Sequence, residues 1–401
     1  TTGRKVRKIG ASLIFPLSGP VLENGYLEVD DNGCIISCGL LSGKDSTQGI
    51  EFFDGMLVPG FVNAHVHLEL SHLKGKIQPG KGMGYFIGEI NRLRAAGADE
   101  IFRSAAAAEE EMLRLGIVAA GDIVNTRDTL ALKKQRRLEW ITFVETFGFH
   151  PSRAEKAITG AKQLWQLFQE AGLAASIVPH SPYSVSQELF RKIRELNRSA
   201  CKIISMHNQE SAAEIQLFRS GDGPLLEHIT GNLGLDASHW TPSGLSPLAT
   251  VLPLLPVETP LLLVHNTFTT EQDVHLLKQA EKHRKIWLVL CPNSNLYIEK
   301  TLPPVDLFRR EGMNLCLGTD SLASNQELSI ISELKTLQKH FPGIPVNELF
   351  SWASLNGAQA LGAGDRYGSF DTGKKPGILL ISPVDLKNGK FLPESRVQRL
   401  I

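Results

Sequence analysis

The stretch VNAHVHLELSH, residues 62–72, decides the fold. It is an apolar, strand-like run that carries two histidines one residue apart, His65 and His67, with a carboxylate close behind. Side chains alternate along a strand, so residues i and i+2 point to the same side. Two imidazoles that converge in this way suit a metal ion better than a hydrophobic core.

The run is one of a series. GFVNAHVHL (60–68), GIVAAGDIV (116–124), WITFVETFG (140–148), AASIVPH (174–180), KIISMH (202–207), LLLVH (261–265), IWLVLCP (286–292) and NLCLGTD (314–320) are short apolar segments. Each is followed by a longer helical pattern, such as AEKAITGAKQLWQLFQEAG or SAAEIQLFRS. Alternating strand-then-helix units predict an α/β fold, a parallel (β/α)8 TIM barrel. Parallel barrel strands are buried on both faces, which accounts for the nearly unbroken apolar runs. The two ends of the chain differ from this middle. ASLIFPL, GYLEVDD, CIISCG and EFFDGMLVPG are strand-like with Gly, Asp and Asn turns, and the C-terminal GSFDTGKKPGILLISPVDLKNGK returns to that style. The expected organisation is a small β-sandwich built from residues 1–57 with 365–401, and a barrel over 58–364.

The chain has 401 residues, zero formal net charge and 42% hydrophobic residues. The neutral balance argues against a nucleic-acid-binding face. No apolar run reaches the ~18 residues of a membrane span. Five scattered cysteines (Cys34, Cys38, Cys201, Cys291, Cys316) read as buried thiols of a reducing compartment, so the cytoplasm is expected. The start, TTGRKVRK then IGASLIFPL, loosely mimics a secretory leader, but its apolar part is short and broken by Pro16.

Polar residues fall late in the strands: His65 and His67, then His180, His207, His265 and Asp320. In such a barrel the C-terminal strand ends form one mouth, where catalytic groups gather. A single histidine at a strand end is ordinarily a capping or core residue; the whole set, each at its own strand end, points to a site. His72, His150, His228, His239, His275, His283 and His340 fall in helical or loop contexts and read as structural or solvated. Glu210 follows His207 by three residues, and at helical spacing the two share a face. A carboxylate so placed serves as a proton shuttle beside a metal-bound water; the plain alternative is a first-turn glutamate favoured by the helix dipole.

With those residues in place, the chain resembles the amidohydrolase superfamily, in the branch of chlorohydrolases, cytosine and guanine deaminases and nucleoside deaminases. PGFVNAHVH, VPHSPYSVS, His207 with Glu210, His265, CPNSN, LGTDSLASN and the closing GSFDTGKKPGILLIS carry the resemblance. Gly377 and Ile378 stand where the family often has Ala-Asp. The resemblance implies that His65, His67, His207 and Asp320 ligate one divalent metal ion, with zinc first and iron or manganese also accommodated. It implies Glu210 as proton shuttle and His265 and Asp320 as catalytic partners of the attacking water, with His180 contacting substrate. The fourth strand ends on His180 and not on the lysine that bridges binuclear members, so a mononuclear site is expected. Metal-bound hydroxide would attack a ring carbon bearing an amino group, and ammonia would leave.

His-x-His-Leu-Glu-Leu-Ser further resembles 6-aminodeoxyfutalosine deaminases, which act on an adenine-bearing nucleoside. Glu69, Glu145, Asn295 and Ser321 are the other expected substrate contacts, with Glu69 alternatively a loop carboxylate paired to Lys74 or Lys76. The segment 81–94 is placed to cover the site with Tyr85 and Phe86. The resemblance implies a small-molecule substrate and a barrel of a branch that often forms homodimers; the charge balance and the lack of a long apolar run argue against nucleic acid and a membrane as partners. Other readings within the branch are a guanine or cytosine deaminase, a chlorotriazine hydrolase and an imidazolonepropionase-like ring opener. Outside it stands a non-catalytic binding protein on the same scaffold, which would be expected to lose ligands that this chain keeps. GLLSGKD (39–45) lacks the spacing of a phosphate-binding loop, and no PCxxC, HExxH or GxSxG occurs.

Overall fold

The computed structural model describes residues 6–41 and 48–401. Residues 1–5 of the leader-like start and 42–45 of GLLSGKD therefore lie outside the described residues. The strands are β1 (Val6–Ile14), β2 (Leu22–Asp30), β3 (Ile35–Leu40), β4 (Ile50–Pro59), β5 (Phe61–Val66), β6 (Ile117–Val124) and β7 (Glu139–Thr146), then β8 (Ala174–Pro179), β9 (Ile204–Asn208), β10 (Leu261–His265), β11 (Ile286–Leu290), β12 (Leu315–Leu317), β13 (Ile378–Asp385) and β14 (Lys390–Arg399).

Both ends of the chain meet in one six-stranded sheet of order β14-β13-β4-β1-β2-β3. β1 pairs antiparallel to β2, with Ile9 opposite Leu27, and parallel to β4. β13 pairs antiparallel to β4, with Leu380 opposite Leu57. Ile9 and Ala11, like Leu27 and Val29, are spaced by two and so face one apolar core with Ile14, Leu57 and Leu380.

Each of the eight apolar middle segments forms a strand, β5 to β12. They make two four-stranded sheets, β5-β6-β7-β8 and β9-β10-β11-β12, in a TIM-barrel-like arrangement. The pairs β7–β8, β9–β10, β10–β11 and β11–β12 are parallel. β6, β9, β10 and β11 are buried at every position, as a covered parallel sheet requires. Hydrogen bonds span both seams between the sheets. His207 N donates to His180 O at 3.0 Å, and Thr319 N and Asp320 N donate to His65 O at 3.1 and 3.0 Å. A Cβ on Gly318 would lie 2.8 Å from His65 Cβ, so this close approach needs glycine.

By compactness the described chain falls into two units: 1–64 with 110–120 and 329–401, and 65–109 with 121–328. Among the described residues no helix is long and apolar enough to cross a membrane.

Candidate metal centre and substrate cavity

Four donors meet at the C-terminal ends of the strands. His65 stands in β5, His67 directly after it, His207 in β9 and Asp320 beyond β12. Their ligand atoms all lie within 4.8 Å of one another. His67 Nε2 is 3.2 Å from His65 Nε2 and 3.3 Å from His207 Nε2. Asp320 Oδ1 is 3.5 Å from His65 Nε2 and 3.3 Å from His67 Nε2. Nitrogen and oxygen donors ~2.1 Å from a tetrahedral zinc would stand ~3.4 Å apart, so the spacing already fits one shared cation.

Hydrogen bonding among the rings does not explain the cluster. His67 Nε2 faces two other Nε2 atoms and carries at most one proton. His207 Nδ1 lies 2.9 Å from the His180 carbonyl oxygen, so it donates there and leaves Nε2 as a lone pair. Burial holds His67 well below the usual imidazole range and His207 down at about 4, so both are neutral near pH 7. Burial pushes Asp320 up, but its hydrogen bond to His65 and the His67 and His265 rings outweigh this and hold it well below the carboxylate range. Ser294 and Ser324 donate to its Oδ2 at 2.7 and 3.0 Å. Asp320 (φ +57°) and His265 (φ +77°) both adopt left-handed backbone, a cost of ~1–3 kcal/mol each that clusters at functional sites. The residues present therefore fit a divalent metal ion.

In the metal-free protein, burial also lowers His180 to about 4, like His207. The folded pKa is below the unfolded one, so the unfolded chain binds more protons between them. Stability is therefore expected to fall as pH drops from ~6.5 to ~4, and thermal melts of the chelated protein across that window check it.

Glu210 reaches the cluster by a different route from the one its spacing implies. His207 and Glu210 do not share a helix face: β9 continues to Asn208, Gln209 is left-handed at φ +50°, and the helix begins only at Ala212, capped by Ser211. A turn out of the strand swings Glu210 inward. The Glu214 carboxylate fixes that turn, accepting the backbone N–H groups of Gln209 at 3.2 Å and Glu210 at 3.1 Å. Glu210 Oε1 lies 3.3 Å from His265 Nε2. Asn295 Nδ2 donates to His265 Nδ1 at 3.1 Å, which places the ring proton on Nε2, facing Glu210. Burial first, and then the charge of Asp320, pushes the Glu210 carboxyl well above its ordinary range. A raised pKa of this kind is a mark of a carboxyl suited to carrying a proton.

A cavity of about 500 Å³ opens above the cluster. Its floor is polar: His67, His207, Glu210, Asp320, Ser321, Glu145 and His180. Its upper wall is apolar, and much of it comes from helix α1 (Met83–Leu93). Met83, Phe86, Ile87, Ile90, Asn91 and Arg94 line the cavity at helical spacing, so one face of α1 forms the wall. Phe86, Ile90 and Leu93 also pack on Leu70, Leu73, Ile77 and Ala323. Tyr85, expected beside Phe86, is off this face and 38% exposed.

Two expected substrate contacts stand elsewhere. Glu69 is buried and does not line the cavity. Its partners are Arg94 and the Asn125 and Thr126 backbone N–H groups at 3.3, 2.9 and 3.2 Å, and neither Lys74 nor Lys76. It thus holds Arg94 and Asn125, which do line the cavity. Asn295 is buried behind His265, off the cavity wall. His150 and His228, read from sequence as structural or solvated, both face the cavity, as do Phe147 and Phe149. The α1 stripe was legible as an apolar face with period 3–4; nothing local to His150 or His228 marks them.

The 5-methylthioadenosine/S-adenosylhomocysteine deaminase of Moorella thermoacetica is 25% identical to this chain over 403 residues, covering 96% of this chain and 87% of the relative. The aminodeoxyfutalosine deaminase of Deinococcus radiodurans is 26% identical over 322 residues, covering 77% and 73%. The structure of an adenosine deaminase from Xanthomonas campestris with bound zinc superposes with a TM-score of 0.71 at 25% identity, covering 93% of this chain and 84% of that one. Residues 56–397 match the profile of the amidohydrolase family. The chain belongs to the amidohydrolase family and is a hydrolase acting on C–N bonds, with a site for a divalent metal ion.

Proposed function

We propose that the protein is a hydrolytic deaminase of an adenine-bearing nucleoside, with zinc as its metal. The observation that carries this reading is the Glu210–His265–Asp320 group, its ligand atoms within 4.8 Å of one another, with Glu210 and Asp320 lining a cavity sized for a nucleoside and His265 buried beside them. The relatives named for adenosine derivatives and for aminodeoxyfutalosine support an adenine ring. A floor that is polar and an upper wall that is apolar support a substituent extending from the sugar. 6-Aminodeoxyfutalosine is the finer assignment, resting on HLELS and on the relative of that name.

His65, His67, His207 and Asp320 would hold the cation, which would lower the pKa of a water molecule from ~15.7 toward ~7. Asp320, ionised, accepts a hydrogen bond from the attacking water and orients it. Glu210 takes up a proton from that water and delivers it to the ring nitrogen next to the carbon under attack. His265 Nε2–H donates toward the oxygen arriving at that carbon. The carbon becomes tetrahedral; the remaining proton of the added hydroxyl passes through Asp320 to the amino group, and as the C=O bond forms the C–N bond breaks and ammonia leaves. Glu145 and His180 face the same floor and orient the heterocycle.

The test is ammonia release from adenosine, 5′-extended adenine nucleosides, guanine, cytosine and a chlorotriazine, with metal counted per chain. Preferential turnover of the extended adenine nucleosides is expected. Preference for guanine or cytosine would move the protein to another corner of the family, and bound metal without turnover of any would favour a binding role. Phe86→Ala is expected to raise KM several-fold to about tenfold at little changed kcat, since Phe86 is only half-buried without substrate and full burial of such a ring contributes ~1.5–3 kcal/mol, each 1.4 being tenfold. Steady-state kinetics on the preferred nucleoside check it.

A further inference from the structure

We propose that the buried Asp122–Lys133 ion pair is a positioning device that aims the His65/His67 ligand pair at the cation. Neither residue touches the cavity, and the sequence alone does not single out either. Both are fully buried. Lys133 Nζ lies 2.5 Å from Asp122 Oδ2, donates to Thr142 Oγ1 at 3.0 Å, and stands 5.3 and 5.1 Å from the ring centres of Trp140 and Phe168. The ammonium is thus pinned on every side, and it pins the carboxylate in turn.

The other carboxylate oxygen does the positioning. Asp122 Oδ1 accepts the backbone N–H of Leu68 at 2.8 Å. That N–H belongs to the peptide bond leaving His67, at the start of the short helical turn Leu68–Leu73. His67 there has φ −118° and ψ 83°, outside both the strand and helix wells. Without an acceptor for the Leu68 N–H, this backbone would relax toward a regular conformation and carry the His67 ring away from His65. Outer groups that orient ligands in this way typically shift metal affinity ~10–100-fold when removed. Burying an ion pair is a poor route to stability alone, since apolar residues of similar shape do as well or better. Its presence behind two ligands is therefore better explained by orientation.

The proposal rests on the metal reading, and the test separates the two. Each double variant loses both charges of the pair together, so no charge is left buried and alone. Asp122→Asn/Lys133→Met keeps an oxygen for Leu68 N–H; Asp122→Leu/Lys133→Met removes it, and Asp122→Ala/Lys133→Met serves where the leucine does not fold. Co²⁺ is titrated into each chelated protein, reading affinity and the visible absorption bands. The acceptor-free variant is expected to bind ~10–100-fold more weakly with altered bands, and the asparagine variant to stay near wild type. Equal affinity and equal bands in both, with melting temperatures matched, would overturn the positioning role. Failure of the wild-type protein to bind Co²⁺ would overturn the metal reading itself.

Discussion

Glu210→Gln is expected to lower kcat about 10²–10⁴-fold, the range that a placed proton-transfer group contributes, while metal content stays at the wild-type level. The amide matches the carboxyl in shape and still reaches His265, which stands 3.3 Å from Glu210 Oε1. It cannot accept and release the proton that must pass from water to ring. The surrounding turn should survive, because Glu214 and not Glu210 supplies the acceptors for the backbone N–H groups of 209 and 210. Ammonia release and metal analysis on one preparation check both halves. Near wild-type turnover would remove Glu210 from the mechanism.

His207→Ala is expected to fail at the preceding stage, losing both metal and turnover. It deletes one of four donors and the Nδ1–H that ties the ring to His180 O. Without a bound cation the water pKa stays near ~15.7 instead of ~7, which leaves up to ~10⁸-fold less hydroxide at neutral pH. Chelation of the wild-type protein should give the same loss, and stoichiometric Zn²⁺ should restore the chelated wild type but not the variant. The two substitutions thus separate cleanly: the glutamine variant is loaded and slow, the alanine variant empty. An alanine variant that retained one metal per chain would displace His207 from the ligand set.

Much of this site was legible before any coordinates, because its signals are local. His65 and His67 share a strand side, and His207, His265 and Asp320 each end an apolar run. Eight such runs in alternation with helices left few folds to choose from. What stayed hidden was set by tertiary contact. Glu210 does not stand at helical spacing from His207, because Gln209 turns the chain before a helix that starts only at Ala212. Glu69 and Asn295 were expected to touch substrate, yet each is taken up by a neighbour, Arg94 with Asn125 in one case and His265 in the other. A sequence shows that a polar side chain stands near a strand end; it does not show what else competes for that side chain. Arg94, Asn125, His150 and His228 reach the cavity from loops and helix ends whose direction no periodicity encodes. Asp122 and Lys133 stayed hidden because they stand eleven positions apart and only the fold brings them together.

The two four-stranded sheets meet at two seams, and the four candidate donors divide evenly across them: His65 and His67 from the sheet that begins with β5, His207 and Asp320 from or beside the sheet that begins with β9. An ion gripped from both sides is a rivet. Loading and the joining of the halves then become linked equilibria, so every fold gained in cation affinity is also gained in resistance to parting along that line. Proteolytic nicking of the depleted protein should accordingly begin near His65 and Thr319, where the joint has lost its pin.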